Sequence, residues 1–293
     1  MSEPTTIWDA TLTGAHGNII LSNNYVWDEA QFRLRDVKGW YGGVGVAGEE
    51  PQRVINHGQF ERDGRRTGRI ITLLGTFYFE SDYDRHTAAR YLSSLMYDGE
   101  HGELTVRTGD LVLTSRVRLD GEIVPTPEGK HVIKLSVPLI AADPWLYAPP
   151  RISQIFPAGF GQGLVYPLFA TKKNPSGTPV LDWGKGAPLS AALGNEGNAT
   201  AYPNITVYGD WPAGFTIAYA GKRITYPSTV DATTPVSINC AEGKVMVGDT
   251  DQTYKLKNRD WFEVAPRESF QPRIAALAPS NGWADVSLSS TYI

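Results

Sequence analysis

The chain has 293 residues, a formal net charge of −4 and one cysteine, Cys240. This length allows one large domain or two of ordinary size, and the acidic balance argues against a dedicated nucleic-acid binder, whose phosphate contacts need a basic surface. A single cysteine excludes an internal disulfide and a C-x-x-C zinc site. We expect Cys240 to be a small, buried strand residue.

The composition predicts a mainly β fold. The chain contains 30 glycines and 20 prolines, which is typical of short strands joined by tight turns rather than of long helices. Its start has no signal-peptide pattern, and no apolar run approaches the ~20 residues of a membrane span. We therefore expect synthesis in the cytosol and no membrane insertion.

The first half begins with short β-like runs separated by glycine, asparagine and aspartate: "IWDATL", "FRLRDV", "QRVINHGQF" and "RIITLLGTFYF". The following segment, "SDYDRHTAARYLSSLMYDGEHG", has apolar residues at helical spacing instead. Asp82 or Asp84 can cap its first turn, and Gly99 is suited to follow its last. The sequence predicts one amphipathic helix here that covers a face of the sheet.

Residues 104–143 alternate strand-like runs with Thr-Gly-Asp, Asp-Gly and Pro-Glu-Gly turns, which predicts an antiparallel meander. The meander ends at Asp143 and Pro144. The Asp143 carboxylate can accept a hydrogen bond from the amide of Trp145, and Pro144 presets φ at the second turn position. We place the end of a first domain at about residue 150.

The stretch over about 151–180 is rich in glycine, proline and aromatic residues without a sustained period, which predicts a linker. Beyond it, strand-length runs return at short spacing, and no helix is evident. This pattern predicts a β-sandwich or jelly roll within a second domain, residues 151–293. The predicted strands lie in "NATAYPNITVYGDW", "FTIAYAGKRITY", "TPVSINC", "KVMVGD", "YKLKN" and "WADVSLSS".

Three short motifs in this order, "VPLIAADPWLY", "GNEGNATAYPNITVYGDW" and "RDWFEVAP", resemble the distal tail proteins of long-tailed bacteriophages. The resemblance spans most of the chain, although "RESFQPRIAALAPSNGWADVSLSSTYI" departs from the family pattern because it shows no clean Pro-Gly-Asn element. The residues that carry the resemblance are Asp143, Pro144, Tyr147, Asn198, Pro203 and Trp261.

The resemblance implies a non-enzymatic virion protein of the phage tail tip. It implies that residues 1–150 form a β-sandwich or belt domain with one helix that assembles as a hexameric ring between tail tube and tail tip. Residues 151–293 would form a galectin-like β-sandwich facing outward. The implied partners are further copies of the chain, the tail tube protein, the tape measure protein and the proteins of the tail tip or baseplate.

The segment "ERDGRRTGR" holds the sharpest charge cluster, with Arg62, Arg65, Arg66 and Arg69 as its cations. Its simpler interpretation, which we prefer, is a solvated hairpin turn built on Asp63 and Gly64. The functional interpretation is a ring interface, in which guanidinium groups pair with carboxylates of a neighbouring subunit.

The aromatic residues of the second half leave an alternative function open. Tyr202, Tyr208, Trp211, Trp261 and Trp283 either fill the core of a sandwich or form a stacking platform for a sugar. The platform would make the protein a carbohydrate-binding module for a cell-surface glycan, and a glycoside hydrolase is the third possibility. Core packing is the simpler interpretation of each residue.

No motif indicates catalysis or a cofactor. The stretch from Gly43 to Gly48 matches G-x-G-x-x-G, but Pro51 and β-like residues follow it where a dinucleotide site needs a helix, so we interpret it as a loop. The five histidines are scattered, and the acidic pairs lack the further ligands of a calcium loop. We expect no catalytic residue, no cofactor and no metal.

Overall fold

The chain divides between Pro149 and Pro150, and its last residues return to the first unit. One unit comprises Met1–Pro149 with Thr291–Ile293, and the other comprises Pro150–Ser290. The computed structural model describes residues 7, 9–23, 32–48, 52–53, 55, 57, 64–78, 81–96, 99–129, 131–157, 176–178 and 192–293, without the side chains of 82–85. Within these ranges, no helix has the length and apolar character needed to span a bilayer.

Short strands dominate both units. The first unit contains β1 (Asp9–Gly14), β2 (Gly17–Ser22), β3 (Phe32–Lys38), β4 (Val46–Ala47), β5 (Arg65–Arg66), β6 (Arg69–Tyr78), helix α1 (Asp82–Ser94), β7 (His101–Thr108), β8 (Leu111–Leu119), β9 (Val124–Pro127), β10 (Val132–Ala141) and β11 (Leu146–Tyr147). The second contains β12 (Arg151–Ile155), β13 (Leu193–Gly194), β14 (Asn204–Tyr208), β15 (Phe215–Tyr219), β16 (Lys222–Tyr226), β17 (Val236–Asn239), β18 (Lys244–Val247), β19 (Thr250–Asp251), the 3-10 turn Thr253–Lys255, β20 (Asn258–Arg259), β21 (Ser269–Phe270), β22 (Arg273–Ala276) and β23 (Trp283–Leu288). The final strand, β24 (Thr291–Tyr292), belongs to the first unit.

The first unit is a closed barrel rather than the sandwich expected from the sequence. Its strands follow the order β8-β7-β1-β2-β3-β6-β10, and β10 also pairs with β8 through Leu139 and Leu119, which closes the sheet on itself. A closed barrel has no exposed strand edges. Its closure depends on the register between distant strands, which the local sequence pattern does not encode. The predicted antiparallel pairs β7–β8 and β9–β10 form, but the long partner of β10 is β6.

Helix α1 confirms the one helix predicted in this half. Leu92, Leu95 and Met96 are buried in the barrel core, while the Tyr91 hydroxyl bonds the backbone amide and carbonyl of Asn18 at 3.0 and 2.8 Å. The helix begins at Asp82 and ends at Ser94, so Gly99, with φ +75°, does not directly follow it. The predicted caps, Asp82 and Asp84, have side chains outside the described part.

The second unit contains two main sheets around one core. A six-stranded sheet has the order β12-β23-β14-β17-β18-β19, and a four-stranded sheet has the order β20-β16-β15-β22. Alternate residues of both sheets, such as Ile205 and Val286 in the first and Ile217 and Ile224 in the second, are fully buried in the same cluster. This arrangement is the face-to-face packing of a sandwich.

Three predictions for the second half differ from the structure. Arg151–Ile155, expected to open a linker, pairs with β23 as a strand, and "YKLKN", expected to be a strand, begins with a 3-10 turn. The chain end does not stay in the second unit, because Leu146 pairs with Tyr292 and Tyr147 with Thr291. Pairing between such distant residues leaves no local signal. The rest of the predicted linker lies largely outside the described residues.

Candidate assembly surface

The predicted arginine cluster is divided between the surface and the interior. Arg65 and Arg66 form strand β5, pair with Ala47 and Val46 of β4, and are exposed. Arg69 begins β6, whose alternate residues face the barrel interior, and it is only 2% exposed. The surface contact predicted for Arg69 is therefore wrong. Arg62 lies outside the described residues.

Arg69 holds a loop and a turn together from inside. Its Nη1 donates hydrogen bonds to the carbonyls of Gly39, Trp40 and Gly42 at 3.0, 2.9 and 3.3 Å, and its Nε donates to Pro144 at 3.0 Å. Burial, with a smaller contribution from nearby Arg66, lowers the pKa of Arg69. Two features that the sequence presented separately, the arginine cluster and the Asp-Pro turn, thus meet at this residue.

The turn after β10 has the hydrogen bond predicted for it. The amide of Trp145 donates to Asp143 Oδ1 at 3.2 Å, and the Tyr147 hydroxyl donates to Asp143 Oδ2 at 2.6 Å. The turn places Trp145 beside the hairpin, where the guanidinium carbon of Arg66 lies 5.8 Å from the ring centroid, within range of a cation–π contact.

We call Val46, Arg66 and Trp145 the hairpin face. Val46 and Arg66 are cross-strand partners, so their side chains share one side of the hairpin. Val46 is 65% exposed and Trp145 is half-buried, while Arg65 projects from the opposite side. The hairpin face therefore combines apolar surface with one cation.

A second surface of the barrel combines apolar residues with carboxylates. Val124 is 53% exposed and pairs with Ser136 of β10, and Pro138, two residues further along β10, is half-buried on the same face. The amide of Asp120 donates to the Pro138 carbonyl at 3.0 Å, which places exposed Asp120 at the border of this apolar surface. Glu122, which is also exposed, lies between Asp120 and Val124 in the chain. We call Asp120, Glu122, Val124 and Pro138 the acidic patch.

Asn198, Pro203 and Trp261, which carry the resemblance in the second half, have different surroundings in the second unit. Asn198 is exposed, and the carbonyl of Pro203 accepts a hydrogen bond from the amide of Cys240 at 3.2 Å. Trp261 packs against the second core next to Gly243. The structure brings their two segments together through a bridge between Ala201 and Val264.

The residue that joins these segments is Asn195, which the sequence analysis missed. Its buried Nδ2 donates to the carbonyls of Ala199, Val264 and Ala265 at 2.8, 3.0 and 3.3 Å, and its Oδ1 accepts from the amide of Gly197 at 3.1 Å. Asn two positions before Gly is a local signal for an Asx turn. The hydrogen bonds to Val264 and Ala265 join residues 69 and 70 positions apart in the chain, so no local sequence pattern predicts them.

The five aromatic residues do not form one stacking platform in the described part of the chain. Trp211 is fully buried, with its Nε1 donating to the Tyr208 carbonyl at 2.9 Å. Tyr208 and Trp283 stack on each other with centroids 5.6 Å apart, and Trp261 packs on the core. Only Tyr202 among the five is largely exposed, at 42%. This arrangement disfavours the carbohydrate-binding alternative.

The described residues include neither clustered metal ligands nor a readily ionised thiol. They contain no group of three or more histidine, cysteine, aspartate or glutamate side chains arranged for a metal. Cys240 is buried as predicted, but it directly follows strand β17 (Val236–Asn239) instead of lying within a strand. Burial raises the pKa of its thiol to about 11, so the reactive thiolate is scarce at neutral pH. Within the stretch from Gly43 to Gly48, Val46 and Ala47 form strand β4.

Comparison with known proteins gives matches in structure alone. No protein-family model and no curated protein sequence matches the chain. It is similar to the Dit protein (gp 19.1) of phage SPP1, described as a paradigm of the hub adsorption apparatus in phages that infect Gram-positive bacteria. The TM-score is 0.60 at 12% identity, over 97% of this chain and 99% of that one.

A chain of the phage P2 baseplate in its activated conformation with Ca has a TM-score of 0.50 at 10% identity, over 97% of this chain and 98% of that one. At such identities the likeness establishes the fold. The resemblance to distal tail proteins is confirmed at that level: the chain has the fold of a Dit protein along nearly its entire length.

Proposed function

We propose that the protein is a structural component of a long-tailed phage virion, the distal tail protein whose ring joins the tail tube to the tail tip or baseplate and the host-adsorption apparatus. The observation that carries this proposal is the extent of the structural likeness. SPP1 Dit, described as part of a hub adsorption apparatus, matches 97% of this chain and therefore both of its units.

In this proposal the first unit is the belt that builds a hexameric ring, and the second unit is a galectin-like domain that projects from it. A symmetric ring repeats one modest interface between subunits, so that the assembled ring is stable. In this role the protein joins other tail proteins and catalyses no reaction. The tail tube protein, the tape measure protein and the tip or baseplate proteins are the proposed partners. Arg65 and Arg66, exposed on the first unit, support a surface role for that unit.

The test is the mass of the purified full-length protein, measured by light scattering and native mass spectrometry, together with negative-stain images. We expect closed rings of six copies. A monomer at all accessible concentrations that binds an immobilised glycan would favour the carbohydrate-binding module. Turnover of a polysaccharide, abolished by changing one carboxylate, would favour a hydrolase.

A further inference from the structure

The hairpin of β4 and β5 is exposed on the first unit. All four of its strand residues are exposed, and its described ties to the rest of the unit include the contact of Arg66 with Trp145. Two-stranded hairpins are marginally stable in water without further packing. A hairpin that keeps Val46 65% exposed therefore gains stability when another surface covers it.

Arg66 is prepared for a carboxylate partner. Its guanidinium carbon lies 5.8 Å from the ring centroid of Trp145, whose backbone amide is hydrogen-bonded to Asp143. A guanidinium that is already restrained by a cation–π contact loses less conformational freedom on binding, and its fork matches carboxylate geometry. In the described part of the chain no ion pair joins Arg66 to a carboxylate.

The acidic patch has the complementary composition. Asp120 and Glu122 are exposed, and neither forms an ion pair with a cation among the described residues. Val124 and Pro138 provide apolar surface against which Val46 of another copy can pack. The patch thus offers carboxylates and apolar surface where the hairpin face offers a cation and apolar surface.

We propose that the hairpin face of one copy docks on the acidic patch of a second copy of this chain, with Arg66 directed at Asp120 and Glu122 and with Val46 against Val124. Both surfaces belong to the first unit, and they are different surfaces, so the contact can repeat head-to-tail from copy to copy, and in the proposed ring it does. Head-to-tail contacts generate rings when the rotation closes. The inference rests on the proposed ring and identifies the two surfaces that build it.

The experiment uses three variants of the full-length protein. One is Arg66→Glu, and another combines Asp120→Lys with Glu122→Lys. Each alone places like charges opposite one another, and we expect at least a tenfold rise in the concentration needed for assembly, measured by light scattering. An equimolar mixture of the two variants restores opposite charges at every contact of an alternating ring, so we expect it to assemble like the wild type.

The third variant, Arg65→Glu, is the matched control, because it makes the same charge change on the opposite side of the same hairpin. It should assemble normally, and circular dichroism should show all three variants folded. Rings formed by each reversed variant alone, or a mixture that stays dissociated, would overturn this contact while leaving the proposed function intact. A wild-type protein that never assembles would overturn both.

Discussion

In each unit a buried polar side chain joins distant chain segments, Arg69 in the first and Asn195 in the second, and the two side chains differ in charge. Arg69 bonds four carbonyls from the loop 39–42 and the turn at Pro144, while its Nη2 has no partner among the described residues. Asn195 donates to three carbonyls and also accepts from Gly197. Arginine is a donor only, whereas asparagine uses both halves of its amide.

The difference relates to what each side chain supports. Arg69 bonds the carbonyl of Pro144 in the turn that carries Trp145, and its long side chain also reaches the loop 39–42, which is distant from that turn in sequence. Asn195 is short, and it joins a turn to an adjacent bridge within the second unit. Removal of Arg69 leaves four carbonyls without a donor, whereas loss of the Asn195 amide nitrogen leaves three, so we expect the larger effect at Arg69.

The largest expected effect is that of Arg69→Met. The change fills similar volume but leaves the carbonyls of Gly39, Trp40 and Gly42 without their donor, so we expect the first unit to lose about 3–4 kcal/mol of unfolding free energy. Calorimetry should show one transition shifted to lower temperature. The reaction of Cys240 with a thiol reagent, which reports unfolding of the second unit, should stay slow until the other transition.

Arg65→Met is the control for this prediction because it removes an exposed arginine four positions away in the same cluster. We expect it to change the free energy of unfolding by less than about 0.5 kcal/mol. Similar effects of the two changes would mean that the hydrogen bonds of Arg69 do not stabilise the first unit.

Asn195→Asp tests the neutral side chain. A carboxylate cannot donate to the carbonyls of Val264 and Ala265, and its burial raises its pKa, so we expect a loss of about 2–3 kcal/mol from the second unit at neutral pH. Because the folded-state pKa is then above the unfolded one, the stability of the variant falls as pH rises between these two values. The deficit relative to wild type should therefore be smaller near pH 4 than near pH 7.

Urea unfolding followed by tryptophan fluorescence at both pH values measures this deficit. Asn198→Asp, at an exposed position in the same segment, is the control and should cost less than about 1 kcal/mol at either pH. A deficit for Asn195→Asp that grows on acidification would contradict the assigned donor role.

Local chemistry decided what could be predicted from the sequence. The helix over residues 82–94 and the turn at Asp143 depend on spacing and side chains within a few residues, and both form as predicted. Barrel closure depends on the register between β8 and β10, which no local pattern encodes. The burial of Arg69 did leave a signal in the sequence, because residues 69, 71 and 73 face the same side of β6 and Ile71 and Leu73 are apolar. The neighbouring arginines made a surface position the more obvious interpretation.

Deletion of residues 291–293 tests whether the first unit depends on the chain end. Strand β24 pairs with Leu146 and Tyr147 of β11, and Thr291 is only 2% exposed, so the deletion should cost the first unit about 1–2 kcal/mol. The second unit, which ends at Ser290, should keep its unfolding transition in calorimetry. An unchanged first transition would show that β24 adds no stability.

The smallest expected effect is at Asp143, where the turn adjoins the segment bonded by Arg69. Asp143→Ala removes the acceptor for the Trp145 amide and for the Tyr147 hydroxyl, and we expect a loss of about 1 kcal/mol from the first unit. Asp143→Asn should cost less, since its amide oxygen still accepts from Trp145. Tyr147→Phe removes one of the two bonds and should fall between wild type and Asp143→Ala. Equal and negligible shifts of the urea midpoint in all three variants would mean that the Pro144 carbonyl, held by Arg69, fixes the turn without help from the carboxylate.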